Sequence, residues 1–156
     1  DLAYAKEALA DKDEVAIHSV YCDLSSRVAK EDINRGWDAL SEPRQRFLAA
    51  SWLESEVNNG GFSQFFYNKG PDAVKAAQAF LEERSHAGVA GCLQRAIDAL
   101  PKKLPKTRDQ LQDMLDDDVD ERLEVISEAF WKLKRPFMPV KVRYAVSHKD
   151  EFFERD

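Results

Sequence analysis

Along this 156-residue chain the apolar residues return every third or fourth position almost from end to end. No clear stretch shows the period-two alternation of a half-buried strand, and only Val140–Ser147 is open to an extended reading. Residues 13–29 place Ile17, Val20, Tyr21, Leu24 and Val28 on one stripe. Ser41 is a suitable N-cap for a second helix, with Glu42 and Pro43 in its first turn. That helix continues through Phe47, Leu48, Trp52, Leu53 and Val57 to about Asn59. Gly70-Pro71 opens another, with Val74, Ala77, Phe80 and Leu81 inward. After Gly88, the residues Val89, Cys92, Leu93, Ala96, Ile97 and Leu100 repeat the pattern as far as Pro101. The chain therefore reads as all-α, a single compact multi-helix domain spanning residues 1–156.

Pro101 to Thr107, with two prolines and three lysines, is the clearest loop. Beyond it Leu111, Leu115, Val119, Leu123, Ile126, Phe130 and Leu133 form one long stripe. Asp118 followed by Glu121 resembles a capping box, so two helices are expected here rather than one. Pro136 and Pro139 predict a non-helical segment over 134–140, and Asp150 is placed to cap a last turn carrying Phe152 and Phe153.

The stretch from Glu54 to Asn68 is the most distinctive. A helix should end at Asn58-Asn59, where Gly60 and Gly61 follow and Gly61 can take the left-handed conformation that a Cβ resists. Phe62 would then pack on Val57, and Phe62, Phe65 and Phe66 would anchor the next helix in the core. This mechanical reading accounts for most of the motif.

Charge is distributed unevenly. The formal net charge is −6. Residues 109–124 hold eight carboxylates against Arg122 alone, which is −7, so the other 140 residues sum to +1. Asp113, Asp116, Asp117, Asp120, Glu121 and Glu124 follow helical spacing and are expected to form one broad acidic stripe. If the helix were continuous, the eight carboxylates would span about 24 Å. Their linear density is then about half that of duplex DNA, with its one charge per about 1.7 Å. Two copies across a dimer axis would come closer. Basic segments flank the stripe: Lys102, Lys103, Lys106 and Arg108 before it, and Lys132, Lys134, Arg135, Lys141 and Arg143 after it. The second group is placed to neutralise the stripe, in the same chain or in a neighbour.

The string Glu-x-Asn-Asn-Gly-Gly-Phe-x-Gln-Phe-Phe-x-Asn, carried by Glu56, Asn58, Asn59, Gly60, Gly61, Phe62, Gln64, Phe65, Phe66 and Asn68, resembles the family of small bacterial proteins typified by the neisserial DNA-mimic protein. The similarity extends through the helices to Ala96, then to Leu123, Ile126, Phe130, Trp131 and Leu133, and to the closing Tyr144 and Glu151-Phe152-Phe153, roughly residues 40–153 in all. The resemblance implies an all-α fold. For the type member it implies a dimer whose carboxylates imitate duplex phosphates and occupy a DNA-binding protein.

Other chemistries fit poorly. Asp116, Asp118 and Asp120 match the first ligands of a calcium loop, but Glu121 stands where glycine is needed and Ser127 where the bidentate Glu belongs. His18 and Cys22 lie four apart, with no third ligand nearby, so Cys22 is expected to be a small core residue. No metal and no cofactor are expected. The aromatic and basic tail is weak evidence for direct nucleic-acid binding in a chain this acidic. No apolar run approaches the roughly 18–20 residues needed to cross a bilayer, so no membrane association is expected. Two cysteines make no disulfide framework, which places the chain in the reducing cytoplasm. The expectation is a non-enzymatic homodimer presenting its acidic face to a basic protein surface such as that of a transcription factor. The alternative is a small enzyme in which Glu54, Glu56, Asn58 and Gln64 line a pocket.

Overall fold

In the computed structural model, which describes residues 1–153, aspartates at non-helical positions open the first two helices. The Asp1 carboxylate accepts from the N–H groups of Ala3 and Tyr4 at the start of α1 (Leu2–Asp11). Asp13 does the same for Val15 and Ala16 at the start of α2 (Glu14–Arg35), which runs six residues beyond the expected end. Each carboxylate thus satisfies two donors that the first turn leaves unpaired. Gly36 stops α2 at φ 87°, and a short 3-10 turn over Trp37–Ala39 leads to α3 (Glu42–Glu83). Ser41 does precede that helix, but its hydroxyl makes no cap; it donates to Glu151 Oε2 at 2.6 Å.

The helix α3 is three helical segments bent at glycines. Gly61 has φ 81° and ψ −178°, and Gly70 has φ 76° and ψ −179°. Positive φ at Gly61 is as expected, but the ψ is extended rather than left-handed helical, a combination confined essentially to glycine. Both bends are closely covered. A Cβ on Gly61 would lie 2.8 Å from Ser127 Oγ, and one on Gly70 would lie 3.2 Å from Arg108 Cβ. Val57 and Phe62, expected to meet across the break, are both fully buried in one core. The Phe62 ring packs edge-on to Phe130 and against Phe66.

Four further helices precede the last turn. His86 caps α4 (Ala87–Asp98): its Nδ1 accepts from Val89 N–H, so Nε2 carries the proton and donates to Arg135 O at 2.8 Å. Thr107 and Gln110 form a capping box on α5 (Arg108–Asp113). The expected division of the next stripe is present, with α6 running from Asp117 to Trp131. Its cap is Asp116, accepting from Val119 N–H at 2.9 Å, rather than the Asp118–Glu121 box. An aspartate two residues earlier can serve because Met114–Asp116 already leave the helix.

The tail departs from expectation in two places. α7 begins at Met138 and includes Pro139, since a proline in the first turn forfeits no helical hydrogen bond; 134–137 alone remain non-helical. The final turn, α8 (Lys149–Phe152), starts after His148, and Asp150 lies inside its first turn rather than at its cap.

No strand occurs among the described residues. α3 is the axis of the fold: α5 and α6 pack on it, α4 packs on both α3 and α6, and α1, α2 and α7 form a mutually packed group that also reaches α3. A single core joins all of these elements, with Phe47, Phe62, Phe65, Phe66 and Phe80 fully buried. Each such side chain stabilises the fold by roughly 1.5–3 kcal/mol before entropy is counted. Gly61→Ala should lower unfolding free energy by about 2–4 kcal/mol, through forbidden backbone geometry and the displaced Ser127 hydroxyl. Urea denaturation measures this, and a variant as stable as the parent would refute the assignment.

Candidate functional site: the acidic face of α5 and α6

The acidic stripe is not one helix. Asp113 closes α5, the chain turns through Met114–Asp116, and only Asp117 onward rides on α6. Two of the six expected contact residues are committed internally. Asp116 is the cap of α6, and Asp120 accepts a hydrogen bond from Ser63 Oγ at 2.8 Å. Asp113, Asp117, Glu121 and Glu124 remain exposed, as do Asp109 and Asp118. Among the described residues none of these six forms an ion pair. Glu128, just beyond the acidic window of the sequence, is exposed as well. Asp117, Glu121, Glu124 and Glu128 are spaced i, i+4, i+7 and i+11, a straight row about 16 Å long.

The basic tail does not neutralise this row within the chain. Lys132, Lys134, Arg135 and Arg143 are exposed, and none pairs with a stripe carboxylate among the described residues. Lys141 is fully buried where α2, α3 and α7 meet. Its Nζ lies 2.9 Å from Glu54 Oε1 and 4.0 Å from the centre of the Tyr21 ring. The sequence could not separate this lysine from its neighbours, because its spacing matches both the basic run and the inward face of α7.

The motif residues of α3 are knit to one another and to α6. Phe62 N–H donates to Ser127 Oγ at 2.9 Å, and the Trp131 indole donates to Val57 O at 2.7 Å. Both bonds satisfy backbone groups released where α3 breaks. Glu56 Oε2 accepts from Gln64 Nε2 at 2.7 Å and from Asn68 Nδ2 at 2.9 Å, closing the bend with a side-chain bridge. Asn58 and Asn59 are exposed at the turn, and Phe65 and Phe66 are wholly buried.

Glu54 faces Lys141, Glu56 faces Gln64, and the shallow depression formed by Ser63, Gln64, Tyr67, Asn68, Leu115 and Asp120 contains only Gln64 of the four expected residues. Cys22 is exposed on α2 rather than in the core, 3.3 Å from His18 Nε2. Its position on α2 lies opposite the inward row of Ile17, Leu24 and Val28. Among the described residues no group of three or more His, Cys, Asp or Glu side chains could hold a metal ion. No described helix is long and apolar enough to cross a membrane.

The chain matches the family model described as DMP19-like protein over residues 38–148. It belongs to the DMP19-like family. Searches of curated proteins and of solved structures find no match. The matched residues include the α3 breaks and both acidic helices, while α1 and α2 precede them.

This DMP19-like chain also holds a polar cluster with no sequence signature. Tyr144 is fully buried between Phe80 and His148, and among the described residues no group lies within hydrogen-bond geometry of its hydroxyl, Arg46 being the nearby cation. His148 Nε2 contacts Glu83 Oε1, and Arg46 links Glu83 to Glu42. Burial, reinforced by the Glu83 carboxylate, pushes the Tyr144 phenol well above its usual range, and Arg46 opposes this. Only tertiary contact joins residues 46, 83 and 144.

Two predictions follow from these buried polar groups. Glu54→Leu should cost about 2–4 kcal/mol, because it leaves the Lys141 charge buried alone, whereas Glu54→Leu with Lys141→Met should recover most of that loss. Equal melts for the single and double variants would contradict the pairing. The raised Tyr144 phenol stabilises the fold at pH values below the ordinary tyrosine value of about 10, and that contribution is lost as the unfolded chain ionises above it. Tyr144→Phe should therefore flatten the fall in melting temperature between about pH 9 and 11, as calorimetry would show.

Proposed function

We propose that this DMP19-like protein is a non-enzymatic binding protein whose α5–α6 face engages a basic protein surface, in the manner of a DNA mimic occupying a DNA-binding protein. The observation that supports this reading is the row of exposed carboxylates that form no ion pair among the described residues, on a chain whose remaining charges nearly cancel. Carboxylates already paired within the fold could not exchange their hydration for a partner's Lys and Arg at the same advantage. The core-facing residues Val119, Leu123, Ile126 and Phe130 keep α6 rigidly seated, so the row keeps its spacing as a partner docks. The protein acts in the cytoplasm, and its partner is of the transcription-factor kind.

The immobilised chain should retain basic DNA-binding proteins from a bacterial nucleoid extract, and duplex DNA should release them competitively. Asp113→Asn, Asp117→Asn, Glu121→Gln and Glu124→Gln combined should reduce retention at least about tenfold, with an unchanged circular dichroism spectrum and melt. Retention that survives all four changes, or that duplex DNA does not disturb, would sink the proposal.

A further inference from the structure

The shallow depression beside the α3 motif differs in chemistry from the acidic row that it adjoins. Ser63, Gln64, Tyr67 and Asn68 form one side of it, Leu115 and Asp120 the other, and among the described residues no lysine or arginine lines it. Asp120 lies on α6, and Asp117 and Glu124, three residues before it and four after, belong to the exposed row. A cation drawn to the row is therefore delivered to the mouth of the depression.

Its polar atoms are set as acceptors. Ser63 Oγ donates to Asp120 Oδ1 at 2.8 Å, which steadies the carboxylate, and Asp120 forms no ion pair among the described residues. Gln64 Nε2 and Asn68 Nδ2 both donate to Glu56 Oε2, so the carbonyl end of each amide is turned away from that carboxylate. Gln64 Oε1 lies back over Gly60, where a Cβ would meet it, which leaves Asn68 to offer an amide oxygen to the depression. Tyr67, 54% exposed, adds an aromatic face, and Leu115 adds an apolar wall. A ligand matching this lining carries positive charge, donates hydrogen bonds to oxygen and has a flat, weakly hydrated face to lay on a ring. An ammonium is a compact, strongly hydrated point charge and lacks the flat face, whereas a guanidinium meets all three requirements.

We infer that this depression is an arginine site, which takes one guanidinium side chain from the basic surface that docks on the α5–α6 face. The inference rests on the binding role proposed above and adds a selectivity that the row alone does not supply. Exposed carboxylates along a helix attract any polycation. The depression separates arginine from lysine, with Asp120 as the charge partner, Asn68 as a second acceptor and Tyr67 as the stacking face. Long-range attraction and selection of the side chain are thus assigned to adjacent but different residues. The site is also formed in advance. Gln112 Nε2 donates to Tyr67 O at 2.9 Å, which ties α5 to this part of α3, and the neighbouring Phe65 and Phe66 are wholly buried. Little ordering of the backbone remains for a partner to impose.

Isothermal titration calorimetry of the full chain with hexaarginine and hexalysine peptides tests this. Hexaarginine should bind at least about tenfold more tightly than hexalysine. Tyr67→Ala should weaken hexaarginine binding at least about fivefold and leave hexalysine binding within about twofold. The Tyr67 side chain is exposed and its carbonyl is retained in the variant, so the variant should fold. In nuclear magnetic resonance spectra the amide signals of Asn68 and Leu115 should shift on addition of hexaarginine and move less with hexalysine. Equal or undetectable affinity for the two peptides, or a Tyr67→Ala loss shared by both, overturns the assignment. The four acidic-face substitutions should weaken both peptides alike and preserve their ratio. An arginine preference without retention of nucleoid proteins would refute the binding role alone, whereas retention without that preference would refute the arginine site alone.

Discussion

The hydrogen bonds between the break in α3 and the inner side of α6 hold the rest of the molecule in place. A helix that breaks in a core releases N–H and carbonyl groups that water cannot reach, and each would cost about 1–3 kcal/mol if left unpaired. Here the Ser127 hydroxyl oxygen accepts the Phe62 N–H while the Trp131 indole N–H donates to the Val57 carbonyl, so α6 completes a helix to which it does not belong. Gly61 makes the arrangement possible twice over, by its positive φ and by leaving space for the Ser127 hydroxyl. Once α6 is held there, its outer row of carboxylates has a fixed direction.

That constraint separates two roles within one acidic segment. Asp116 and Asp120 serve the fold, one as a cap and the other as the acceptor for Ser63. Asp117, Glu121, Glu124 and Glu128 face outward, and none forms an ion pair among the described residues. The lysine that could have met them is instead enclosed by Glu54, Tyr21 and Phe137. A buried lysine is tolerated only with such a partner set, and this one ties α7 to α3 at the centre of the molecule.

Much of the fold was legible because helical periodicity and its punctuation are local. The Gly60-Gly61 and Gly70-Pro71 bends, the loop over 101–107 and the division between α5 and α6 all follow from residues adjacent in sequence. The errors have a common origin. Spacing alone cannot show where α5 unwinds, and so does not separate Asp118 from Asp116 as the cap of α6. A small residue such as Cys22 suits either side of an amphipathic helix, and a proline such as Pro139 both breaks a helix interior and fits a first turn. The Tyr144, His148, Glu83 and Arg46 cluster left no trace, since its members come from distant segments.

By itself the sequence determined the helical class, the glycine-bearing motif with its family, and the concentration of negative charge in one short segment. These depend on periodicity, backbone freedom and composition, which are properties of neighbours along the chain. Tertiary structure alone decided which of those charges remain available and which are spent as caps and cross-links. It also decided that the basic tail turns Lys141 inward. Burial and pairing depend on what the fold brings opposite each side chain, and that is a relation between segments far apart in sequence.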